Sequence, residues 1–314
     1  MTATVHQPVM LAETLEGLRV ASGGRFVDCT LGGGGHTEAL LEASFPDGRV
    51  LGLDRDPEAL RRAGARLARF GDRFQAAHSN FAGLRDAALS HGFLKVDGIL
   101  MDLGVSSDQL ETPERGFSFR LEGPLDMRMD PTRGQTAAEW LAAAEEAEIA
   151  EAIFRFGEDR MSRRIARAIV RTRSEKPIRG TLELANLVEA AAGGRKGAKI
   201  HPATRTFQAL RMVVNEELQS IETGLGAALE LLVPGGRLAV ITFHSLEDRL
   251  VKQFFRAHEG REESLYEGGS EWRGEEPRVV RVTRKPVTAT DEEASANPRA
   301  RSAKLRVIEK RKEV

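Results

Sequence analysis

The run Phe26-Val27-Asp28-Cys29 is apolar and strand-like, and it leads through Thr30-Leu31 into four consecutive glycines, Gly32 to Gly35, followed by His36. Glycine has no Cβ, so such a turn bends sharply and brings backbone amides against a ligand that any side chain would hold off. A second apolar run, Val50-Leu51-Gly52-Leu53, ends in Asp54. A carboxylate at the end of a second strand can accept both hydroxyls of a ribose. Together the two features predict a nucleotide-type cofactor site rather than a plain tight turn. A nicotinamide site reads G-x-G-x-x-G, yet Thr37 stands where the third glycine belongs, and no Gly-Lys-Ser/Thr follows as in a P-loop. The spacing from Asp28 to Gly32 and Gly34 fits D-x-x-x-G-x-G, the S-adenosylmethionine form of the loop.

The pattern on either side of this turn predicts repeated strand-helix units. A helix is expected from Thr37 to Glu42, a turn at Pro46-Asp47-Gly48, and a helix start at Asp56-Pro57 followed by Leu60, Ala63, Leu67 and Phe70 at helical spacing. A third strand near residues 74–77 leads to Asn80-Phe81, and a fourth, 96–101, ends at Asp102. Strands separated by single helices imply an α/β fold with a parallel, Rossmann-like sheet, whose ligand lies beyond the carboxyl ends of the strands. Asp28, Asp54, Phe81 and Asp102 all fall there.

From about Leu110 to Ala209 the alternation gives way to helical patterns, at Thr136 to Phe154, Met161 to Thr172 and Leu182 to Ala192. The expected division is a sheet domain built from 1–109 and 210–314, with a helical insertion at 110–209. A single long helix is expected through Phe207, Leu210, Val214, Leu218, Ile221, Leu225 and Leu229, halted by Pro234-Gly235-Gly236. A strand at 238–243 follows, and Ser245 is the expected N-cap of a helix carrying Leu250, Val251, Phe254 and Phe255. Residues 258–277, acidic and glycine-rich, predict a mobile loop. Late strands near 278–282 and 303–308 suit an antiparallel member of the sheet.

Basic and acidic residues nearly balance, 46 against 47, for a net charge of −1, so only the local distribution of charge can speak of a polyanionic partner. Within the insertion Arg155, Arg160, Arg163, Arg164, Arg167, Arg171, Arg173, Lys176 and Arg179 outnumber Glu158, Asp159 and Glu175, and Arg195, Lys196, Lys199, His201 and Arg205 follow. Such a surface can track a phosphate backbone, or it can simply be a solvated helix face. The single cysteine, Cys29, excludes a disulfide scaffold or a cysteine-based metal site and fits a reducing cytosol. Residues 1–10 lack a basic segment followed by an apolar one, and no apolar run is long enough to span a bilayer. Secretion and membrane insertion are not expected, and no cluster of His, Asp and Glu has persuasive metal-ligand spacing.

Eight segments closely resemble the ribosomal RNA small subunit methyltransferase H family. They are His6-Gln7-Pro8-Val9-Met10, Thr30 to His36, Asp102-Leu103-Gly104-Val105-Ser106-Ser107, Arg115-Gly116-Phe117-Ser118-Phe119, Leu125-Asp126-Met127-Arg128-Met129, Phe207-Gln208-Ala209-Leu210-Arg211, Phe243-His244-Ser245-Leu246-Glu247-Asp248-Arg249 and Asn297 to Ser302. The likeness covers nearly the whole chain. It implies a cytoplasmic enzyme with a Rossmann-like S-adenosylmethionine-dependent methyltransferase sheet and an inserted helical domain that recognises RNA. It also implies methylation of the N4 amine of a cytidine in the decoding region of 16S rRNA, within the small ribosomal subunit.

By motif match, the resemblance places the family's cofactor residues on Gly34, Gly35, His36, Asp54, Phe81, Asp102 and Gln109. Gly34, Gly35 and the His36 backbone would approach the methionine portion, Asp54 the ribose and Phe81 the adenine. His36 is equally suited to cap the following helix, and Phe81 to be ordinary core.

A sulfonium carries an activated methyl, so the enzyme mainly has to bring an amine into line with it. The N4 lone pair of cytosine is delocalised into the ring and needs acceptors on its N–H groups; Asp102, Ser106 and Ser107 are the candidates. His244 and Ser245 could contact the cytidine. Many amino methyltransferases carry D/N-P-P-Y/F where this chain has Asp102-Leu103-Gly104-Val105, so stacking on the base is expected from Phe117, Phe119 or Phe207. Asn215-Glu216-Glu217 is expected to be a solvated helix face. Two other readings stay open on the residues alone: a nicotinamide-dependent oxidoreductase, and a non-catalytic RNA-binding assembly factor with a relict pocket.

Overall fold

The structure is a computed structural model that describes residues 8–195, 197, 200–264, 270–273 and 277–312. His6, Gln7, Lys196, Lys199 and parts of the 258–277 segment lie outside the described residues. The chain divides into two units, one of Met1–Gly104 with Leu218–Val314, the other Val105–Glu217.

The first unit begins with α1 (Leu11–Leu18), β1 (Arg25–Asp28), α2 (Gly35–Ala43), β2 (Arg49–Asp54), α3 (Pro57–Leu67), β3 (Phe74–His78), α4 (Leu84–Ser90) and β4 (Val96–Asp102). Local chemistry sets these limits. At α3, for example, the Asp56 side chain accepts from Glu58 N at 3.1 Å and Pro57 supplies a preset φ at the first helical position. The second unit holds α5 (Ser107–Glu111), α6 (Ala137–Ala143), α7 (Glu146–Gly157), α8 (Ser162–Glu175), α9 (Thr181–Ala192) and α10 (Ala203–Val214). The chain then continues with α11 (Glu217–Leu231), β5 (Leu232–Thr242), α12 (Ser245–Glu259), β6 (Arg261–Ser264), β7 (Ser270–Arg273), β8 (Val279–Arg281), β9 (Val287–Thr288), α13 (Asp291–Ala296) and β10 (Lys304–Lys310).

The main sheet has the order β3-β2-β1-β4-β5-β10-β8, with β9 also on β10. The five strands from β3 to β5 pair in parallel, whereas β10 is antiparallel to β5, β8 and β9. Side chains alternate between two cores, as the two-residue period of a strand requires. Val27, Leu51, Ile99, Met101, Leu238 and Val240 pack with α4, α11 and α12 on one face, while Phe26, Val50, Leu100, Ala239 and Ile241 pack with α1, α2 and α3 on the other. Burying each such Leu, Ile or Val contributes about 1.5–3 kcal/mol relative to leaving it exposed, which is why strands covered on both faces are apolar throughout. The helical unit has its own core, in which Ile149, Ile153, Ile165, Ile169, Leu184 and Leu210 meet.

The expected continuous helix through Phe207 and Leu229 is two helices, α10 and α11, because Glu216 adopts a left-handed φ of 49°. Asn215 is the cause. Its Nδ2 donates to Met127 O at 2.7 Å and Arg211 O at 2.8 Å, and its Oδ1 accepts from Met129 N at 2.8 Å. Asn215 and Glu217 are buried rather than a solvated face, and Glu217 pairs bidentately with Arg211 at 2.7 Å on each oxygen. The helix α11 ends before Pro234-Gly235-Gly236, which lie within β5.

The pattern at 136–154 is likewise split, into α6 and α7. Ala144 is extended, and Glu145 restarts the chain with its N–H donating to Glu148 Oε2 at 2.7 Å. Within the segment expected to be loop, β6 and β7 form an antiparallel pair. Among the described residues no helix is long and apolar enough to cross a membrane.

Candidate functional site

The parallel strands β1, β2 and β4 are neighbours, and each ends on an aspartate: Asp28, Asp54 and Asp102. Asp28 pairs in register with Gly52 and Leu100, so Asp54 and Asp102 flank it two residues further along, on strands about 4.8 Å to either side. The chain steps from β1 outward to β3 and then crosses back to β4, so the strand order reverses between β1 and β4. Open α/β sheets bind ligands in the crevice at such a reversal.

The three carboxylates differ in what they hold. Asp28 is fully buried and accepts from Thr37 Oγ1 at 2.7 Å and Thr30 N at 3.1 Å, tying β1 to the first turn of α2. Burial keeps its carboxyl above the usual range, against the pull of His36 and of these donors. Asp54 clamps the glycine turn, its Oδ2 accepting from Gly32 N at 2.7 Å and its Oδ1 from Asp56 N at 2.8 Å. Burial pushes Asp54 up to about 6, with the two amides opposing the rise.

Asp102 is held from behind, its N–H donating to Thr30 Oγ1 at 2.7 Å, and its Oδ2 lies 3.8 Å from His36 Nδ1. Its Oδ1 is buried without a hydrogen-bond partner. Burial pushes Asp102 also to about 6, opposed by His36 and Arg299. An unmet buried acceptor costs about 1–3 kcal/mol, a cost that an arriving N–H donor would remove.

The glycines meet two different demands. Gly32 and Gly34 have φ of 50° and 79°, which other residues rarely adopt, and a Cβ on Gly34 would come 3.1 Å from Leu67 Cδ1 of α3. A Cβ on Gly33 would meet nothing within 4 Å, so the turn is open on that side. Gly35 starts α2, whose first-turn amides suit an anionic group. His36 is no cap, because Gly34 occupies that position; its ring is buried with Nε2 3.0 Å from Val9 O. Phe81 follows the end of β3 and packs, partly buried, against the sheet core, where α11 offers Gly224 beneath it; a Cβ there would lie 3.0 Å from Phe81 Cδ2.

At the end of β5 the N-cap of α12 is His244, not Ser245. The His244 Nδ1 accepts from Glu247 N at 3.4 Å, while the fully buried Glu247 accepts from Phe243 N at 2.8 Å and its Oε1 lies 3.0 Å from His244 Nε2. Imidazole takes the cap because its nitrogen reaches the third helical amide and Glu247 completes the box.

Ser106, Ser107 and Gln109 belong to the helical unit. The Ser106 hydroxyl accepts from Gln109 N at 3.2 Å and Gln109 Oε1 accepts from Ser106 N at 3.1 Å, a capping box that starts α5. Phe117 and Phe207 are buried in the core of that unit, and Phe119 packs on Phe207 and His201 at ring-centroid distances of 4.8 and 4.7 Å. These rings are therefore engaged with one another and with the core, as apolar side chains of a small helical unit must be. Sequence reasoning passed over Thr30, Thr37, Glu247 and Arg299, although each lies in or beside a segment already singled out.

The chain matches the MraW methylase family over residues 3–311. It belongs to that family. The ribosomal RNA small subunit methyltransferase H of Thermomicrobium roseum is 50% identical over 310 residues, covering 98% of this chain and 94% of the relative. That of Geobacter sp. (strain M21) is 51% identical over 306 residues, covering 97% and 98%. Among solved structures the chain is similar to an rRNA methylase from Streptococcus thermophilus, with a TM-score of 0.43, 11% identity and coverage of 99% and 100%, too distant a likeness to bear on function. As a MraW methylase the protein is a methyltransferase, which sets the oxidoreductase and the relict-pocket readings aside.

In this MraW methylase the raised carboxyls have a consequence for stability. The folded state holds protons on Asp54 and Asp102 up to about pH 6, whereas an unfolded chain releases them near the ordinary value of 3.8. The folded protein binds more protons between these values, so their contribution to stability is complete below about pH 4 and is lost as pH rises through 6. The melting temperature of Asp102→Asn relative to the unaltered protein is therefore expected to increase from pH 5 to pH 7.5. A difference that is flat with pH would show that Asp102 titrates normally.

Proposed function

We propose that the protein transfers a methyl group from S-adenosylmethionine to the N4 amine of a cytidine in 16S rRNA of the small ribosomal subunit, acting in the cytoplasm. The observation that carries this reading is the buried, unpartnered Oδ1 of Asp102 at the strand-order reversal, beside a glycine turn clamped by Asp54. The names of the half-identical relatives support the rRNA target.

The residues present fit S-adenosylmethionine. Asp54 would offer its remaining lone pairs to the ribose hydroxyls, the turn open at Gly33 would admit the ligand closely, the first-turn amides of α2 would suit its carboxylate, and Phe81, just after the end of β3, would serve the adenine. When bound, the cofactor supplies a methyl already activated by positive sulfur.

What remains for the protein is position and polarisation. Asp102 accepts an N4–H through Oδ1, which draws the nitrogen lone pair out of conjugation with the ring and towards the methyl. Its Oδ2 stays beside His36, whose other nitrogen is anchored on Val9 O. The amine loses its proton only as the new bond forms, so Asp102 needs little basicity, and a carboxyl poised near 6 is charged and able to accept it at neutral pH.

Two measurements test this. Small ribosomal subunits from a strain lacking the activity, incubated with enzyme and S-adenosylmethionine, should yield N4-methylcytidine on nucleoside mass analysis. A methyl on another base, or none, overturns the assignment. In thermal melts, S-adenosylmethionine at 100 times its Kd should add about 2.7 kcal/mol of stability, and a shift with NAD alone would remove the cofactor reading.

A further inference from the structure

Between Arg160 and Arg179 the sequence carries eight basic residues and a single acid, Glu175, in a protein whose total charge is −1. Two of the eight are occupied by the fold: Arg173 donates to Leu141 O at the end of α6, and Lys176 pairs with Glu183 at 3.2 Å. Four others share one face of α8. At 100° per residue, Arg163, Arg167, Arg171 and Arg164 lie within an arc of about 100°, opposite the fully buried Ile165, Ala166 and Ile169. All four are exposed. Only Arg167 has a carboxylate near it, Glu146 at 3.8 Å; among the described residues Arg163, Arg164 and Arg171 form no ion pair.

Like charges three and four positions apart destabilise a helix by about 0.2–0.5 kcal/mol per pair, and among the described residues only the Glu146 carboxylate beside Arg167 stands against that repulsion. We infer that this face of α8 is a docking surface for the phosphate backbone of the RNA substrate, an inference that rests on the rRNA methyltransferase reading above. From Arg163 to Arg171 the helix rises about 12 Å, long enough for its guanidinium groups to meet more than one phosphate of a strand laid along it. A regular row of single-sign charge suits a periodic polyanion. A membrane surface fits poorly, since an interfacial helix needs an exposed apolar face and the apolar face of α8 is already buried.

The test compares two triple variants, each removing three exposed charges. One is Arg163→Gln, Arg164→Gln, Arg171→Gln. The other, a control on the first unit, is Arg61→Gln, Arg69→Gln, Arg85→Gln. Methyl transfer to small ribosomal subunits from a strain lacking the activity is followed against salt. The α8 variant should show KM raised about tenfold near 0.15 M salt, a salt slope shallower by about 2 to 3, and unchanged kcat, melting temperature and S-adenosylmethionine affinity. The control should keep the unaltered KM and slope.

If the unaltered enzyme methylates the subunits while the α8 variant matches it, the docking surface is wrong and the methyltransferase reading stands. Equal losses in both variants would also overturn the surface, as a mere effect of net charge. If the unaltered enzyme methylates no rRNA, both proposals fall.

Discussion

Asp102→Ala is expected to lower kcat by about 10²–10³ at saturating S-adenosylmethionine, the range typical of removing a positioned proton acceptor or a preorganised electrostatic contact. The variant should fold. The Asp102 side chain contributes no hydrogen bond to the fold through Oδ1, and its Oδ2 stands 3.8 Å from His36. The parallel ladder between β4 and β1 and the Asp102 backbone N–H to Thr30 Oγ1 do not involve the Asp102 side chain, so the substitution keeps them. Removing a carboxyl that burial pushes to about 6 should even favour the ligand-free fold at neutral pH. Loss of turnover without loss of stability is thus the signature of a group kept for chemistry. Single-turnover methyl transfer beside a thermal melt checks it. Undiminished turnover would mean that the reacting amine is held elsewhere.

The pH profile should follow the same group. Turnover of the unaltered enzyme is expected to rise through a midpoint near 6, where Asp102 becomes charged. Activity would then gain over the window in which the ligand-free fold loses stability, an opposition that follows from burying a carboxyl at a strand tip.

Much of the sheet was legible in the sequence because its signals are local. Each of β1, β2 and β4 is an apolar run closed by an aspartate, and the residue types at Gly32, Gly34 and Asp56-Pro57 have few backbone options. The break between α10 and α11 was not legible. The hydrophobic spacing continues through it, and what interrupts the helix is Asn215 bonding to Met127 and Met129, nearly ninety residues back in the chain. The same limit hid the partners of His36. A histidine after a glycine turn reads as a helix cap, whereas Val9 O and Asp102 reach its ring only after α2 has packed on the sheet. Phenylalanines were ambiguous for a different reason: Phe117 and Phe207 are apolar at helical-core and base-stacking positions alike, and only packing separates the two uses. His244 misled through its neighbour, since serine is the commoner cap and the imidazole takes the place only with Glu247 beside it.

With Asp54 in its proposed role as acceptor for two ribose hydroxyls, Asp54→Ala is expected to weaken S-adenosylmethionine binding by about 10²-fold, since hydrogen bonds to a charged group are worth about 1.5–3 kcal/mol each. A carboxylate has about four lone-pair directions. Two are taken by Gly32 N and Asp56 N, at 2.7 and 2.8 Å, which leaves two to face a ligand. The substitution also frees the amide that holds the glycine turn in its left-handed path, so ordering that turn becomes part of the binding cost. Asp54→Asn should not rescue the loss. Both oxygens of Asp54 accept from backbone N–H groups, and an amide NH2 in either place would set donor against donor. Calorimetric titration of the three proteins with S-adenosylmethionine decides the point, and an affinity within threefold of the unaltered enzyme in either variant would show that the ribose is held by other residues.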